Sequence, residues 1–376
     1  MDSFVAEAAE RIAARAEREL EALVAVSSPS GDIAGAEEAL AVCAALLPSE
    51  CEIERPASST PGGAPDLVAR LEGQGSRRIM LLGHIDTVIG HEAHSPLRRD
   101  GDRLYGPGTA DMKGGVVLSL GVARVLASRP DLFAQMALVL VTDEEWRTRP
   151  FVHADSFAGY DACLCFEAGE RGPNGEEGVV VRRKAAGTLR AVATGRSAHS
   201  GSAPDAGANA LLALAHTAIA LSRLHEPKGP DRLSVVPTIV HSGQAFNVVP
   251  AEGELIFDMR ADTAEAFQRV VAGITEQVDG VAVQAQLERV WPGMDSRQIT
   301  QGLLEAASER LGRRIVGVAR GGASDASHLA PLIPLTVDGL GPRGGGAHTP
   351  DEFVLGPSLR ERAEVAMAVA LQALQG

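Results

Sequence analysis

The sequence predicts an α/β fold, a mostly parallel sheet flanked by helices, interrupted by a smaller inserted unit. Three observations carry this reading. Continuous apolar strands at 78–88, 136–142 and 162–166 are separated by helix and loop, the pattern of β-α-β crossovers. Past Lys184 the order becomes β-α-β-β-α-β, a complete split β-α-β unit. The α/β texture then resumes and runs to the end. The expected domains are therefore 1–183 with 295–376, and an insertion at 184–294.

The elements follow in order. A first helix over roughly 3–26 sets Phe4, Ile12, Leu20, Leu23 and Val24 among alternating charges, and Ser27-Ser28-Pro29-Ser30-Gly31 stops it. A second helix, 33–47, ends at Pro48. An edge-like strand at 51–55 and a strand at 66–72 precede strand 78–88, the apolar helix 114–127 and strands 136–142 and 162–166. The insertion holds strands at 189–194, 234–241, 254–259 and 281–290, with helices at 208–224 and 264–278. A helix at 301–311, strands near 315–318 and 334–337, and a last helix at 358–374 complete the chain.

Composition narrows the function. The chain has 376 residues, 45% of them apolar, and 35 Lys and Arg against 49 Asp and Glu give a net charge of −14. That balance argues against nucleic acid and anionic membranes, both of which attract clustered Lys and Arg. No 18-residue apolar run predicts a membrane span, and the charged N-terminal segment does not read as a signal peptide. Four cysteines form no disulfide framework, and Cys163 and Cys165 read as buried reduced thiols. The expectation is a cytoplasmic protein.

In parallel sheets, functional groups collect beyond the carboxyl ends of the strands. Here those positions carry His84 and Asp86, then Glu144 and Glu145, then Glu167. His84 and Asp86, two apart on a strand, point to one side, and the carboxylate can accept the far ring N–H of a metal-bound imidazole. Asp111 lies in the Gly-rich YGPGTADMKGG and His348 in GGGAHTPDEF. Each alone has an ordinary explanation: a helix N-cap for Asp111, a solvated strand end for the Glu pair. Together they gather imidazoles and carboxylates in the mixed N/O set that suits Zn²⁺, with Co²⁺ or Mn²⁺ as substitutes.

The segments LLGHIDTV, YGPGTADMKGG, VTDEE, CFEAGE, GRSAHSG, AFNVVPAEGELIFDMR, GGASDASHL and GGGAHTPDEF resemble, in this order, the M20 metallopeptidase/amidohydrolase family. The glutamate carboxypeptidase and N-acyl-amino-acid deacylase branch is the nearest. The resemblance implies a zinc-peptidase-like catalytic domain and a ferredoxin-like insertion serving as lid and dimerisation domain. It implies two Zn²⁺ per chain: Asp111 bridging both, His84 and Glu167 completing one site, Glu145 and His348 the other. Glu144 would be the general base of a hydroxide bridging the metals, and Asp86 the partner of His84. A cis peptide after Asp111 also belongs to the pattern.

His199 in GRSAHSG matches a histidine that reaches the active site from the other subunit of a homodimer. Asn247 and Arg260 match positions that hold the substrate's carboxylate, and Gly322 and Ser324 a substrate-contacting loop. On the residues alone, the Arg260 fork could hold a substrate carboxylate or equally be salt-bridged to Asp258 or Asp262, and His199 reads as a surface-loop histidine. The implied activity is hydrolysis of an amide bond to an amino acid, in a short peptide or an N-acyl amino acid. The alternatives are a biosynthetic deacetylase or desuccinylase and, in another class, a silent metal-free binding protein on the same fold. Where the family commonly has a Gly/Ser turn after the Glu pair, this chain has Trp146-Arg147-Thr148-Arg149-Pro150.

Overall fold

The computed structural model describes residues 1–147 and 149–375. These form two compact units. Met1–Arg182, Asp295–Arg320 and the chain from Ser324 onward make the first; Arg183–Met294 with Gly321–Ala323 make the second.

The first unit is built on a six-stranded sheet in the order Glu52–Glu54, Leu67–Glu72, Gln135–Val141, Arg78–His84, Ala162–Cys165 and Thr336–Val337. The last four run parallel, and the first two pair antiparallel at one edge. The predicted α/β class and mostly parallel sheet thus hold. Residues Ile79–Leu82 and Met136–Val141 are buried without alternation, because both faces of the sheet are covered. Helices Ser3–Val24, Gly114–Ala127 and Gly356–Gln375 contribute to one core with these strands. Gly115 lets helix and strand meet closely, since a Cβ there would lie 1.8 Å from the carbonyl oxygen of Phe166. That contact sets the start of helix Gly114–Ala127 beside the strand end that carries Glu167.

A second, small sheet positions the site. Gly344–Gly345 and Phe353–Leu355 form a hairpin, and Phe353–Leu355 pairs with Arg103–Tyr105. The tip of the first hairpin carries His348, and the chain leaving Arg103–Tyr105 leads directly to Asp111. Strands of two or three residues show no periodicity, so this sheet was absent from the sequence-based expectation.

Within the second unit, five antiparallel strands are ordered Ser234–Ser242, Glu252–Ala261, Ala185–Thr194, Val281–Trp291 and Gln277–Val278. Helices Ala210–Ser222 and Phe267–Ala272 share the apolar core of this unit. The helix expected over 264–278 is shorter. It ends at Gly273, and Gln277–Val278 is instead a strand turning back at Asp279-Gly280 onto Val281. Both turn residues have positive φ, 46° and 79°, the geometry of the two-residue Asp-Gly hairpin. Val-Asp-Gly-Val is a hairpin signal that overrides the helical pattern before it.

Candidate active site

Six side chains, His84, Asp111, Glu144, Glu145, Glu167 and His348, from five segments of the first unit converge beyond the parallel strands. His84, Asp111 and Glu167 offer ligand atoms within 4.8 Å of one another, and so do Asp111, Glu145 and His348; a third group joins His84, Glu144 and Glu145. Asp111 belongs to the first two groups, one oxygen to each. Its Oδ1 lies 3.2 Å from His84 Nε2 and its Oδ2 lies 3.1 Å from His348 Nε2. The Asp111–Met112 peptide is cis.

The donor set fits a cation. His84 Nδ1 faces only acceptors, donating to the backbone carbonyl of Asp86 at 3.1 Å with Asp86 Oδ1 at 3.3 Å. The ring proton therefore sits on Nδ1, and the Nε2 lone pair looks at two carboxylates, Asp111 and Glu167, the latter 3.8 Å away. Buried Glu145 Oε1 lies 3.2 Å from His348 Nε2 yet makes no well-formed hydrogen bond. Asp111 and Glu145 push the His348 imidazole up to about 10. Burial works to lower His84, but Asp111 and Asp86 outweigh it and raise it. Burial also works to raise Asp111, yet both imidazoles hold it below the usual carboxylate range. The cluster thus demands positive charge.

The groups behind the cluster hold it in place. Asp86 Oδ1 accepts from the Glu144 amide at 3.2 Å, and Oδ2 accepts from the Glu145 amide at 3.1 Å and Ser30 Oγ at 2.8 Å. One carboxylate therefore orients His84, the Glu pair and the loop after the first helix. Glu352 accepts from the amides of Gly108, Ala110 and Asp111 at 2.7–2.8 Å, clamping the Asp111 loop to the hairpin that bears His348. Buried Lys113 donates to the carbonyls of Val26 at 2.7 Å and Leu23 at 3.2 Å, neutralising the end of the first helix. Arg147 is fully buried and ion-paired with Asp143 at 3.0 Å and with Asp325. Burial, with Asp325, Glu167 and Glu145 adding to it, raises Glu144 despite the opposing pull of His84.

The remaining predicted residues are not members of these ligand groups. In the second unit, exposed His199 and Asn247 are brought together: Ser200 N donates to Asn247 O at 3.0 Å and Val249 N to Ala198 O at 2.8 Å. His199 Nδ1 accepts from the amides of Gly201 and Ser202 at 3.1 and 3.2 Å, so the ring proton sits on Nε2. Arg260, near the far end of strand Glu252–Ala261, pairs with Asp258 at 3.0 Å, while Arg232 takes Asp262. Gly322 O accepts from Arg183 at 2.9 Å. In the first unit Ser324 is fully buried and donates to Asp338 at 2.7 Å.

Sequence reasoning missed Glu352, Lys113, Arg147 and Asp325. Glu352, Lys113 and Asp325 stand inside the quoted segments GGGAHTPDEF, YGPGTADMKGG and GGASDASHL, where a charged residue among glycines and apolar neighbours was the available signal.

A parallel-sheet domain with such a cluster at its strand ends is the framework of a metal-dependent hydrolase. The family described as peptidase family M20/M25/M40 matches residues 80–372, and the chain belongs to it. It is accordingly a hydrolase of amide bonds, from a family of metal-dependent enzymes. The chain is 25% identical to carboxypeptidase G2 of Pseudomonas sp. (strain RS-16), covering 88% of this chain and 82% of that protein. It is 28% identical to succinyl-diaminopimelate desuccinylase of Stenotrophomonas maltophilia, covering 88% and 92%. Aminopeptidase PepT from Bacillus cereus has the same fold, with a TM-score of 0.78 and 21% identity over 97% of this chain and 99% of that one. The family read from the motifs therefore stands. Among the described residues, no helix is long and apolar enough to cross a membrane.

Proposed function

We propose that the protein is a dinuclear zinc amidohydrolase that cleaves the amide bond to an amino acid carrying a free carboxylate. The observation that carries this is the pair of ligand groups sharing Asp111. His84 and Glu167 would hold one ion, Glu145 and His348 the other, with Co²⁺ or Mn²⁺ as substitutes. Two such ions supply the charge that makes a water acidic and a carbonyl carbon electrophilic.

The chain's own groups do the rest. Glu144 takes the proton of the attacking water and returns it to the nitrogen of the leaving amine. Burial and the neighbouring carboxylates raise this carboxyl, and the positive charge of two bound ions would offset them, leaving it ionised to take the first proton. Asp86 keeps the Glu144 and Glu145 amides in place while this happens. His199 of the partner subunit donates its Nε2–H to the carbonyl oxygen as negative charge builds there. Arg260 and Asn247 hold the carboxylate of the amino acid, Arg260 exchanging Asp258 for the substrate. Gly322 and the segment at Ser324 complete the substrate loop.

The dimer would form through 184–294, the lid and dimerisation domain of this reading. Strand Ser234–Ser242 is an open sheet edge with exposed Val236, Ile239 and Val240, and helix Ala210–Ser222 exposes Leu212 and Ile219. Cysteines without a disulfide suit a reducing compartment, and the proposal places the enzyme in the cytoplasm.

Similarity to the desuccinylase favours a second reading, removal of a dicarboxylic acyl group from a biosynthetic amino acid. A panel of peptidyl, N-acetyl and N-succinyl amino acids, read by amine release, separates the two. Elemental analysis should find about two zinc ions per chain. Glu144→Gln should keep that metal and lose about 10²- to 10⁴-fold in kcat. A metal-free chain with no activity across the panel would instead mark a silent binding protein.

A further inference from the structure

We infer that Arg147 is a positioning residue: it clamps the turn that carries Glu144 and Glu145, and so sets how tightly the ion at Glu145 is held. The inference rests on the dinuclear reading above and extends it to a side chain that is wholly buried.

The two glutamates stand on a single turn just past strand Gln135–Val141. The Arg147 amide closes that turn by donating to the Asp143 carbonyl at 3.0 Å. The side chain of the same residue closes it a second time, with Nη1 donating to Asp143 Oδ1 at 3.0 Å. Backbone and guanidinium of Arg147 thus both grip Asp143, and Glu144 and Glu145 lie between the two joined residues. The second closure is charge-assisted, the stronger kind of hydrogen bond. Asp86 holds the turn at the amides of Glu144 and Glu145, and Arg147 holds it where it ends.

The guanidinium is itself anchored on every edge. Nη2 donates to Asp325 and Nε to the carbonyl of Arg149 at 3.2 Å, while the Phe151 ring centre lies 5.5 Å from the guanidinium carbon. A planar fork engaged at all three nitrogens has one orientation, which the point charge of a lysine would not reproduce. Its partners are fixed in turn. The other oxygen of Asp143 accepts from the Thr60 amide at 2.7 Å. Asp325 opens helix Ala326–Leu329 and follows Ser324, which donates to Asp338 at 2.7 Å. Asp338 exchanges two backbone hydrogen bonds with Val180 of strand Glu177–Arg183, at 2.7 and 2.8 Å. Through Arg147 the turn is therefore tied to parts of the first unit remote from it in sequence. Asp143 and Asp325 are both buried, and without the guanidinium they would be left there uncompensated.

The consequence is selective. Glu145 shares a ligand group with Asp111 and His348, whereas the group of His84, Asp111 and Glu167 contains no residue of the turn. Loosening the turn weakens the first group and spares the second.

The test titrates zinc into the metal-free full chain against a chromophoric chelator that resolves two binding steps. His348→Ala identifies the step belonging to the ion at Glu145. Arg147→Met should weaken that same step about 10- to 100-fold and change the other by less than about threefold. Arg147→Lys, which keeps the charge and loses the fork, should weaken it less. Because Arg147→Met leaves two buried carboxylates without their cation, Arg147→Met combined with Asp325→Asn removes one of those charges, and the same step must be weakened in it. Far-UV circular dichroism verifies that each chain is folded. Equal weakening of both steps would mark Arg147 as a general support of the fold, and no weakening would mark it as dispensable. Either result overturns the inference, while two steps in the wild type keep the dinuclear reading. A wild type that binds fewer than two zinc ions would overturn that reading and the inference with it.

Discussion

At the scale of single residues, the groups that hold the ligands matter as much as the ligands. Glu352 gathers three amides of the Asp111 loop on one carboxylate. Glu352→Gln keeps the shape but turns an N–H₂ toward backbone donors. Zinc affinity, measured by competition with a chromophoric chelator, should fall about 10- to 100-fold. An affinity equal to wild type would show that the clamp is dispensable. Asp66 carries a pH prediction. It is fully buried, its Oδ1 accepts from the Thr142 amide at 3.0 Å, and burial, reinforced by Asp143, pushes it up to about 7. A carboxyl raised in the fold stabilises below its unfolded pKa of about 4 and loses that contribution as pH rises through about 7. Asp66→Asn does not titrate, so its Tm relative to wild type should rise between pH 5 and 8; a constant difference would refute the assignment. The gathering of His84, Asp111, Glu144, Glu145, Glu167 and His348 was legible because these residues interrupt apolar or Gly-rich segments at strand ends. Glu352, Arg147 and Asp325 were not, because their roles depend on partners far away in sequence.

At the scale of elements, the long strands and helices could be read from the sequence because burial on both faces leaves uninterrupted apolar runs. The short ones could not. Gly344–Gly345 and Phe353–Leu355 owe their pairing to Arg103–Tyr105, a contact no local pattern encodes. The end of the helix at Gly273 was missed for the opposite reason, since the Asp279-Gly280 turn was there to be read. How the last helix is fastened is also a matter of partners. Glu177 on strand Glu177–Arg183 receives Arg343 at 2.7 Å, Arg362 of helix Gly356–Gln375 at 3.0 Å and Arg313 at 3.4 Å, and it is almost wholly buried. Removing Glu177 takes the carboxylate from the fully buried Arg362, while Arg343 keeps Glu361 and Arg313 keeps Glu364. Glu177→Ala should cost about 3–5 kcal/mol of stability in urea unfolding of the metal-loaded protein. A loss under about 1 kcal/mol, the value of a surface pair, would show that water replaces the carboxylate.

At the scale of the whole molecule, the proposed dimer has two consequences. Ile239→Lys with Val240→Glu places charges on the exposed edge strand, and light scattering should then report monomers with little activity. A fully active monomer would remove His199 from the reaction. Coexpressed Glu144→Gln and His199→Ala chains, each inactive alone, should regain about a quarter of wild-type activity. Half the dimers are then mixed, and each mixed dimer carries one whole site out of two. No recovery would place His199 and Glu144 of one chain in the same site. The clamp at Glu352 also bears on how the molecule is made. The amides it gathers belong to residues 241 to 244 positions earlier in the chain. A growing polypeptide that has already displayed His84, Asp111, Glu145 and Glu167 still lacks His348 and the carboxylate that gathers the Asp111 loop. On the proposed dinuclear reading, the ligand group of Asp111, Glu145 and His348 would be complete only once the stretch carrying His348 and Glu352 has left the ribosome.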